Sequence, residues 1–219
     1  MRHEVTARFN KVIMPLLASI LDVAIVGGGS VEPELEILKT KEGIGLHFLG
    51  IESDAAMSSF EYLDLNTAKL TVEKQFDLIL CSQVLEHLWD VKQAIENLVK
   101  LTKPGGLIWI ACPASNFAHG SPDYFSAGYQ PDLIANLLNQ HNVEILSKGT
   151  LGSRRYYFFT HALQTWPTSR QYRFPLLTGI SRYYPIQIFE RLAATVRSPR
   201  ILDDPKFATE TFVLARVLS

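Results

Sequence analysis

The chain has 219 residues, of which 47% are hydrophobic and 20% are charged, and its formal net charge is −1. Such a chain can bury the core of one full-sized domain, and it lacks the positive charge typical of general affinity for nucleic acid. Its two cysteines, Cys81 and Cys112, are too few for a disulfide scaffold, so we expect a reduced, cytoplasmic protein.

Residues 1–21 form the first predicted unit. The apolar run at 12–21 contains Pro15 and leads directly into the first core strand. It is too short to span a bilayer, and it has no convincing cleavage site for a signal peptide. We therefore expect a kinked helical segment that lies on the domain.

Strands and helices alternate along the predicted core domain, residues 22–148. The strands are buried apolar runs, and the helices carry apolar residues at helical spacing. In chain order we predict a strand at 22–27, a helix at 31–40, strands at 46–51, 60–63 and 76–81, a helix at 84–101, a strand at 107–112, a helix at 131–140, and strands at 143–147 and 211–217. This alternation predicts an α/β fold with a Rossmann-like, doubly wound, mostly parallel sheet and right-handed crossovers.

Ligands of such sheets bind beyond the carboxyl ends of the strands, and the first of these ends carries three glycines, Gly27–Gly29. A dinucleotide fingerprint needs glycines at the first, third and sixth places, but the sixth place is Glu32. Glu32 and Glu34 would also repel a pyrophosphate at this turn. A cationic nucleoside therefore fits the turn better than a flavin or nicotinamide nucleotide.

The segment at 76–113, FDLILCSQVLEHLWDVKQAIENLVKLTKPGGLIWIACP, carries the most specific motifs. VLEH follows the fourth strand, and KPGG ends the helix before the fifth. With this spacing the segment resembles the class I S-adenosylmethionine-dependent methyltransferases, in particular their small-molecule branch. The resemblance implies S-adenosylmethionine as cofactor and a seven-stranded sheet with an antiparallel last strand, which residues 208–219 would supply.

The resemblance also implies a donor site at the ends of the first four strands. A carboxylate after the second strand can accept hydrogen bonds from both ribose hydroxyls of an adenosine, and that carboxylate is Glu52. Carried over residue by residue, the family's contacts to the methionine part, the ribose, the adenine amino group and the transferable methyl fall on Gly27, Gly28, Gly29, Glu52, Asp64, Ser82 and Gln83.

The chain departs from the family pattern at three places. Ile25 and Val31 stand where an acidic residue and a third glycine are usual, and the link from Glu52 to Phe60 is too short for the usual helix. These departures keep an alternative open, namely a catalytically inactive protein that retains the fold for binding or assembly. A flavin or nicotinamide oxidoreductase is the third interpretation.

Candidate catalytic residues follow the fourth and fifth strands. Methyl transfer to a hydroxyl needs a base, and His87 and His119 are the candidates. His119, Asp123 and Tyr124 belong to HGSPDYF, which resembles loops of methyltransferases that act on sugars, polysaccharides and secondary metabolites. We predict methyl transfer to a hydroxyl or amine of such a small-molecule acceptor. The structural alternatives are a helix-capping role for His87 and a turn set by Gly120 and Pro122.

A metal site is not predicted. Some relatives, including ubiquinone-pathway O-methyltransferases, use an E-x-x-E-H version of the VLEH turn to hold a divalent metal. The first acid is Gln83 in this chain, which leaves only Glu86 and His87. Two ligands and a neutral amide make a poor site.

Residues 149–207 fit no core element. Between residues 151 and 202 there are eight arginines against one glutamate, a net charge of +7, together with many aromatic residues. We predict an inserted lid, or a surface for peripheral contact with an anionic membrane or a protein partner, and no specific binding of nucleic acid.

Overall fold

The computed structural model describes residues 3–29, 32–53, 59–116, 122–152 and 208–219. The predictions for His119 and for the stretch 153–207 lie outside these residues. In chain order the elements are α1 (His3–Ile13), a 3-10 helix (Met14–Ser19), β1 (Asp22–Val26), α2 (Pro33–Leu38), β2 (Gly45–Gly50), β3 (Phe60–Tyr62), β4 (Phe76–Ser82), a 3-10 turn (Leu85–His87), α3 (Val91–Lys100), β5 (Thr102–Pro113), α4 (Pro131–Leu138), β6 (Val143–Leu151) and β7 (Glu210–Val217).

The strands form one seven-stranded sheet in the order β3-β2-β1-β4-β5-β7-β6. The five strands β1 to β5 pair in parallel, and β7 is antiparallel to both β5 and β6. The predicted α/β class, the doubly wound sheet and the antiparallel last strand are confirmed. Because β7 runs the opposite way, its first residues lie at the same edge as the carboxyl ends of the parallel strands. We call this the ligand edge.

Both faces of the sheet are covered, as the continuous apolar strands require. α1 and α2 pack on one face, and α3 and α4 pack on the other. On the first face the fully buried ring of Trp109 lies 5.3 Å from Phe9 of α1 and 5.6 Å from Phe212 of β7, measured between ring centroids. The N-terminal helix is therefore packed on the sheet. None of the described helices is long and apolar enough to cross a membrane.

The helix predicted at 84–101 is wrong in its first part. Residues Leu85–His87 form a 3-10 turn, and Leu88 that follows is extended. α3 begins only after Asp90, whose Oδ1 accepts a hydrogen bond from the backbone N–H of Gln93 at 3.0 Å. Asp90 is thus an N-cap, a position outside the helix proper, and it separates the VLEH turn from α3.

The KPGG segment is a bulge within β5 and not a turn before it. Phe76 pairs with Thr102 and Leu78 pairs with Leu107, so β5 holds three more residues than β4 over this interval. Gly105 has a φ of +81°, a conformation that glycine adopts without strain. The predicted strand at 107–112 therefore extends in both directions, over Thr102–Pro113.

Other predicted elements have the right type and different ends. The helix predicted at 31–40 is shorter, and β2 ends before Glu52, which lies in the following turn. β6 continues beyond the predicted 143–147 to Leu151, where it pairs with Glu210, the residue before the predicted last strand. The end of β6 and the start of β7, which flank the stretch 153–207, therefore lie at the ligand edge.

A charged cluster lies at the opposite edge of the sheet. Asp77 Oδ2 accepts hydrogen bonds from the backbone N–H groups of Leu21 (3.0 Å) and Asp22 (2.8 Å), and its Oδ1 accepts from Lys103 Nζ (2.8 Å). Lys74 and Lys103 also pair with Asp22, at 2.8 and 3.3 Å. Burial raises the pKa of Asp77, but the hydrogen bonds outweigh it, so this pKa lies below its usual value. The hydrogen bond from Lys74 lowers the pKa of Asp22.

Asp77→Asn should lower the free energy of unfolding at pH 7 by about 1–2 kcal/mol, because the substitution removes the charge that faces Lys103. A lowered carboxylate pKa stabilises the fold above about pH 4, and this contribution is lost as the pH falls through the folded-state pKa. The difference between variant and wild type should therefore shrink at pH 3. Urea unfolding at the two pH values measures it.

Glu36→Gln is the matched control, because Glu36 pairs with Lys39 through a side chain that is 76% exposed. This variant should change the free energy of unfolding little at either pH. An Asp77→Asn effect of equal size at pH 7 and pH 3 would contradict the role of the Asp77 charge.

Candidate functional site

A cleft of about 470 Å³ opens at the ligand edge. Its walls are the turns that follow β1, β2, β3 and β4, together with the loop that follows β5. The predicted site residues that line it are Gly27, Gly28, Glu52, Asp64, Gln83, His87 and Asp123. The structure thus brings seven residues from five separate segments of the chain to one concave surface.

Four predicted site residues are not part of this described lining. Gly29 follows the two lining glycines. Ser82 is buried, and its hydroxyl makes no hydrogen bond within the described part of the chain. Tyr124 Oη donates a hydrogen bond to the carbonyl of Asn116 at 3.1 Å. His119 belongs to the residues that are not described.

The glycine turn after β1 touches the VLEH turn after β4. Gly27 has a φ of +66°, and a Cβ on this residue would lie 2.7 Å from Val84 Cγ2, closer than real Cβ contacts. Its N–H donates to the carbonyl of Leu49 at 2.7 Å, which ties the turn to β2. A Cβ on Gly28 would lie 3.0 Å from Glu32 Cγ. Both glycines therefore pack against neighbouring side chains with little or no room for a Cβ.

One wall of the cleft is fixed by Asp64 and Asn66. Asp64 Oδ1 accepts a hydrogen bond from the N–H of Asn66 at 2.9 Å, and Asn66 Oδ1 accepts from the N–H groups of Trp89 (3.1 Å) and Asp90 (3.2 Å). This chain of bonds ties the turn after β3 to the segment before α3. Asp64 Oδ2 makes no hydrogen bond to a described residue, so it can accept one from a ligand.

Large apolar side chains surround the mouth of the cleft. Four of those that line it are exposed, by between 37% and 65%: Ile51, Phe60, Trp89 and Phe125. Exposed apolar groups around a concave surface are typical of ligand contact. Sequence reasoning did not select them. The available signal was position, because Ile51 directly follows β2 and precedes Glu52, and Phe125 follows Tyr124.

The VLEH turn and the loop after β5 are bonded to each other. His87 Nδ1 is hydrogen-bonded to the carbonyl of Asp123. A carbonyl only accepts, so Nδ1 carries the hydrogen, and Nε2 of the neutral ring holds a lone pair. Glu86 Oε1 lies 3.9 Å from Nε2. The carbonyl of Glu86 accepts from the N–H groups of Phe125 (2.9 Å) and Ser126 (3.3 Å), which holds the loop over the turn.

Glu86 is fully buried beneath this loop, and its charge acts on nearby groups. Burial raises the pKa of Tyr124, and Glu86 raises it further. Burial and Glu86 likewise raise the pKa values of the Cys81 and Cys112 thiols. Both cysteines therefore stay protonated at neutral pH and behave as small buried apolar residues.

Gln83 lies between the cleft and a buried carboxylate. Among the described residues it is the one non-glycine residue with a positive φ, of +58°. Its N–H donates to the carbonyl of Ala111 at 2.7 Å, and its Nε2 donates to Glu210 Oε2 at 2.9 Å. Sequence reasoning missed Glu210, although the first residue of an antiparallel last strand belongs at the ligand edge. Within the described residues, no group of three or more acidic, histidine or cysteine side chains is arranged to hold a metal ion.

The comparison with protein families gives a match over the centre of the chain. Residues 26–108 match the family described as a methyltransferase domain. The ubiquinone biosynthesis O-methyltransferase of Rickettsia akari (strain Hartford) is 30% identical over 114 residues, which cover 50% of this chain and 45% of that protein. The chain thus spans less than half the length of this relative.

Solved structures share the fold over nearly the whole chain. The N-methyltransferase NodS from Bradyrhizobium japonicum WM9, in complex with S-adenosyl-L-homocysteine, has a TM-score of 0.53 and 14% identity, and the match covers 97% of this chain and 87% of NodS. The [4+2]-cyclase SpnF has a TM-score of 0.54 and 17% identity, with 94% and 80% covered. At these levels of sequence identity, the similarity shows a shared fold and not a shared activity.

The sheet order and the matched methyltransferase domain support the predicted resemblance to the class I S-adenosylmethionine-dependent methyltransferases. S-adenosylmethionine is the methyl donor of that class. The described residues fit that cofactor, because Gly27 and Gly28 line the cleft without side chains and Asp64 Oδ2 makes no hydrogen bond to a described residue.

Gly27→Ala should abolish measurable binding of S-adenosylhomocysteine, because the new methyl group would meet Val84 and strain a left-handed backbone. Gly43→Ala is the matched control. Gly43 also has a left-handed φ, of +82°, but a Cβ there has no atom within 4 Å. Calorimetric titration of both variants, with thermal unfolding alongside, measures the effects.

The Gly43 variant should lose about 1 kcal/mol of stability from backbone strain alone and bind the ligand like wild type. If a folded Gly27→Ala variant bound S-adenosylhomocysteine as tightly as wild type, the close contact between Gly27 and Val84 would not be needed for ligand binding.

Proposed function

We propose that the protein transfers a methyl group from S-adenosylmethionine to a hydroxyl group of a small molecule. The observation that carries the proposal is the cleft, in which a glycine turn, Glu52 and Asp64 lie on the same surface as the His87 ring. The name of the Rickettsia akari relative, an O-methyltransferase of ubiquinone biosynthesis, supports a hydroxyl over an amine. A sugar or a secondary metabolite remains the acceptor class that the HGSPDYF loop favours.

The charge of the cleft supports the methyl donor over a dinucleotide. Its described lining includes Glu52, Asp64 and Asp123 and no lysine or arginine. A sulfonium cation is attracted to such a surface, whereas the pyrophosphate of a flavin or nicotinamide nucleotide is repelled. In our proposal Glu52 holds the ribose and Asp64 Oδ2 accepts from the adenine amino group. Ile51 and Leu88, which also line the cleft, offer apolar contacts to the base.

The reaction is an in-line displacement, in which the acceptor oxygen forms a bond to the methyl carbon while the carbon–sulfur bond breaks. When bound, S-adenosylmethionine supplies the methyl group on a sulfonium that leaves as a neutral thioether. The residues of the cleft accelerate such a step chiefly by holding the two reactants in register. Water is excluded on one side by Phe125 and Trp89, which stand at the mouth.

His87 is the base in this proposal. The bond from Nδ1–H to the carbonyl of Asp123 fixes the tautomer, so Nε2 takes the proton of the acceptor hydroxyl as the oxygen attacks. Glu86 Oε1, 3.9 Å from Nε2, stabilises the positive charge that the ring then carries. Asp123 is in position to accept a hydrogen bond from an acceptor hydroxyl, and His119 and Tyr124 stay predictions for the same acceptor.

A second candidate function is binding or other chemistry on the same fold without methyl transfer. The SpnF structure is named a [4+2]-cyclase, so the fold also serves other reactions. Ile25, at the place of the usual acidic residue, is 1% exposed and packs in the core against α1 and α2. Donor binding and turnover, measured separately, distinguish the two functions.

Calorimetric titration should show saturable binding of S-adenosylhomocysteine and no binding of NAD or FAD. Glu52→Gln should weaken this binding by about tenfold, because each lost hydrogen bond to a charged group contributes about 1.5 kcal/mol or more. Glu61→Gln is the control, since Glu61 is exposed on neighbouring β3 and does not line the cleft. Binding of NAD or FAD in place of the homocysteine compound would overturn the proposal.

His87→Ala should lower the turnover number by about a hundredfold to ten-thousandfold, the range of a lost general base. Donor affinity should stay within about threefold of wild type, because the proposed role concerns the acceptor proton. Turnover is measured as release of S-adenosylhomocysteine with a panel of phenols and sugars, and His141→Ala, at the end of α4, is the control. Unchanged turnover would show that His87 is not the base and that its role is structural.

A further inference from the structure

We propose that Glu210 is a positioning residue for the donor site, and that it acts through Gln83. The inference rests on the proposed function, because Gln83 is the predicted contact at the methyl end of the donor. Neither the family match, which ends at residue 108, nor the VLEH motif includes Glu210.

The backbone of Gln83 needs a partner that holds it. A left-handed conformation is strained for a non-glycine residue, and glycine would avoid that strain. A strained residue in a site persists where the surroundings determine its conformation. Two hydrogen bonds do so at Gln83, from its N–H to Ala111 and from its amide to Glu210. The first holds the main chain, and the second fixes the side chain.

Glu210 is itself held firmly. It is 1% exposed, and as the first residue of β7 it pairs with Pro113 on β5 and with Leu151 on β6. The neighbouring Thr209 donates its N–H to the carbonyl of Leu151 at 3.0 Å, and the carbonyl of Thr209 accepts from Ala114 at 2.9 Å. A carboxylate on a strand that is hydrogen-bonded on both sides is held rigidly. The same side chain on a loop would be held less firmly.

The pairing also explains why position 83 carries an amide. The atoms of Gln83 and Glu210 that form the bond are 2.9 Å apart. A carboxylate at position 83, as in the E-x-x-E-H version of the turn, would face a second buried carboxylate at this distance. Two such groups cannot both ionise without a large cost. The amide and Glu210 therefore form a matched pair, and exchanging them should keep the bond.

The test is the affinity for S-adenosylhomocysteine of the full chain at 25 °C, with thermal unfolding as the measure of folding. Glu210→Leu removes the acceptor, and Gln83→Glu brings two carboxylates together; each should weaken binding by about tenfold or more. The double variant Gln83→Glu with Glu210→Gln restores an amide–carboxylate bond in the opposite sense. It should bind more tightly than either single variant.

Thr209→Val is the matched control, because it alters the start of β7 at a buried threonine whose hydroxyl makes only a 3.3 Å bond to Leu151. It should leave affinity unchanged. Wild-type affinity in folded Glu210→Leu and Gln83→Glu variants would overturn the proposal, as would an equal loss in Thr209→Val or no recovery in the double variant. If Glu210→Leu does not fold, Gln83→Glu and the double variant carry the same comparison. A wild-type protein that binds no S-adenosylhomocysteine would instead overturn the proposed function.

Discussion

The site depends on the close approach of two turns, one after β1 and one after β4. The register of the sheet places Val26 beside Cys81, so the chain leaves both strands at the same level. Gly27 then passes Val84 with no room for a Cβ between them. The turn after β3 is bonded through Asn66 to the segment before α3, and the loop after β5 is bonded to the Glu86 carbonyl of the VLEH turn. The short segment after β4 thus contacts three of the other walls of the cleft.

The two edges of the sheet use their acidic residues differently. At the edge opposite the ligand, Asp22 and Asp77 are paired with lysines and with backbone N–H groups, so their charges stabilise the fold. At the ligand edge, the acidic residues Glu52, Asp64 and Asp123 share a described lining without lysine or arginine. In the proposed function this lining receives the sulfonium cation of the methyl donor. Such a division between stability and function is common in proteins.

The sequence predicted the architecture well, because buried parallel strands are continuous apolar runs and the motifs of the turns are local. VLEH falls where expected, directly after β4, whereas KPGG lies within β5 and not before it. The errors have two causes. Asp90 is a local N-cap that breaks the long helix expected from residue 84 on its apolar spacing, whereas the extension of β6 to Leu151 depends on pairing with the distant strand β7. Glu210 is 127 positions from Gln83 in the chain, and no local pattern joins them.

The pairing of β6 with β7 has a topological consequence. The last bridge of this antiparallel pair joins Leu151 to Glu210, and the N–H of Thr209 closes it with a bond to the Leu151 carbonyl. The register of β6 against β7 is therefore set by bridges between the two strands themselves, from Val143 paired with Val217 to Leu151 paired with Glu210. Because the cost of closing a connection between two paired strands grows only slowly with its length, a long chain separation between them is compatible with this register.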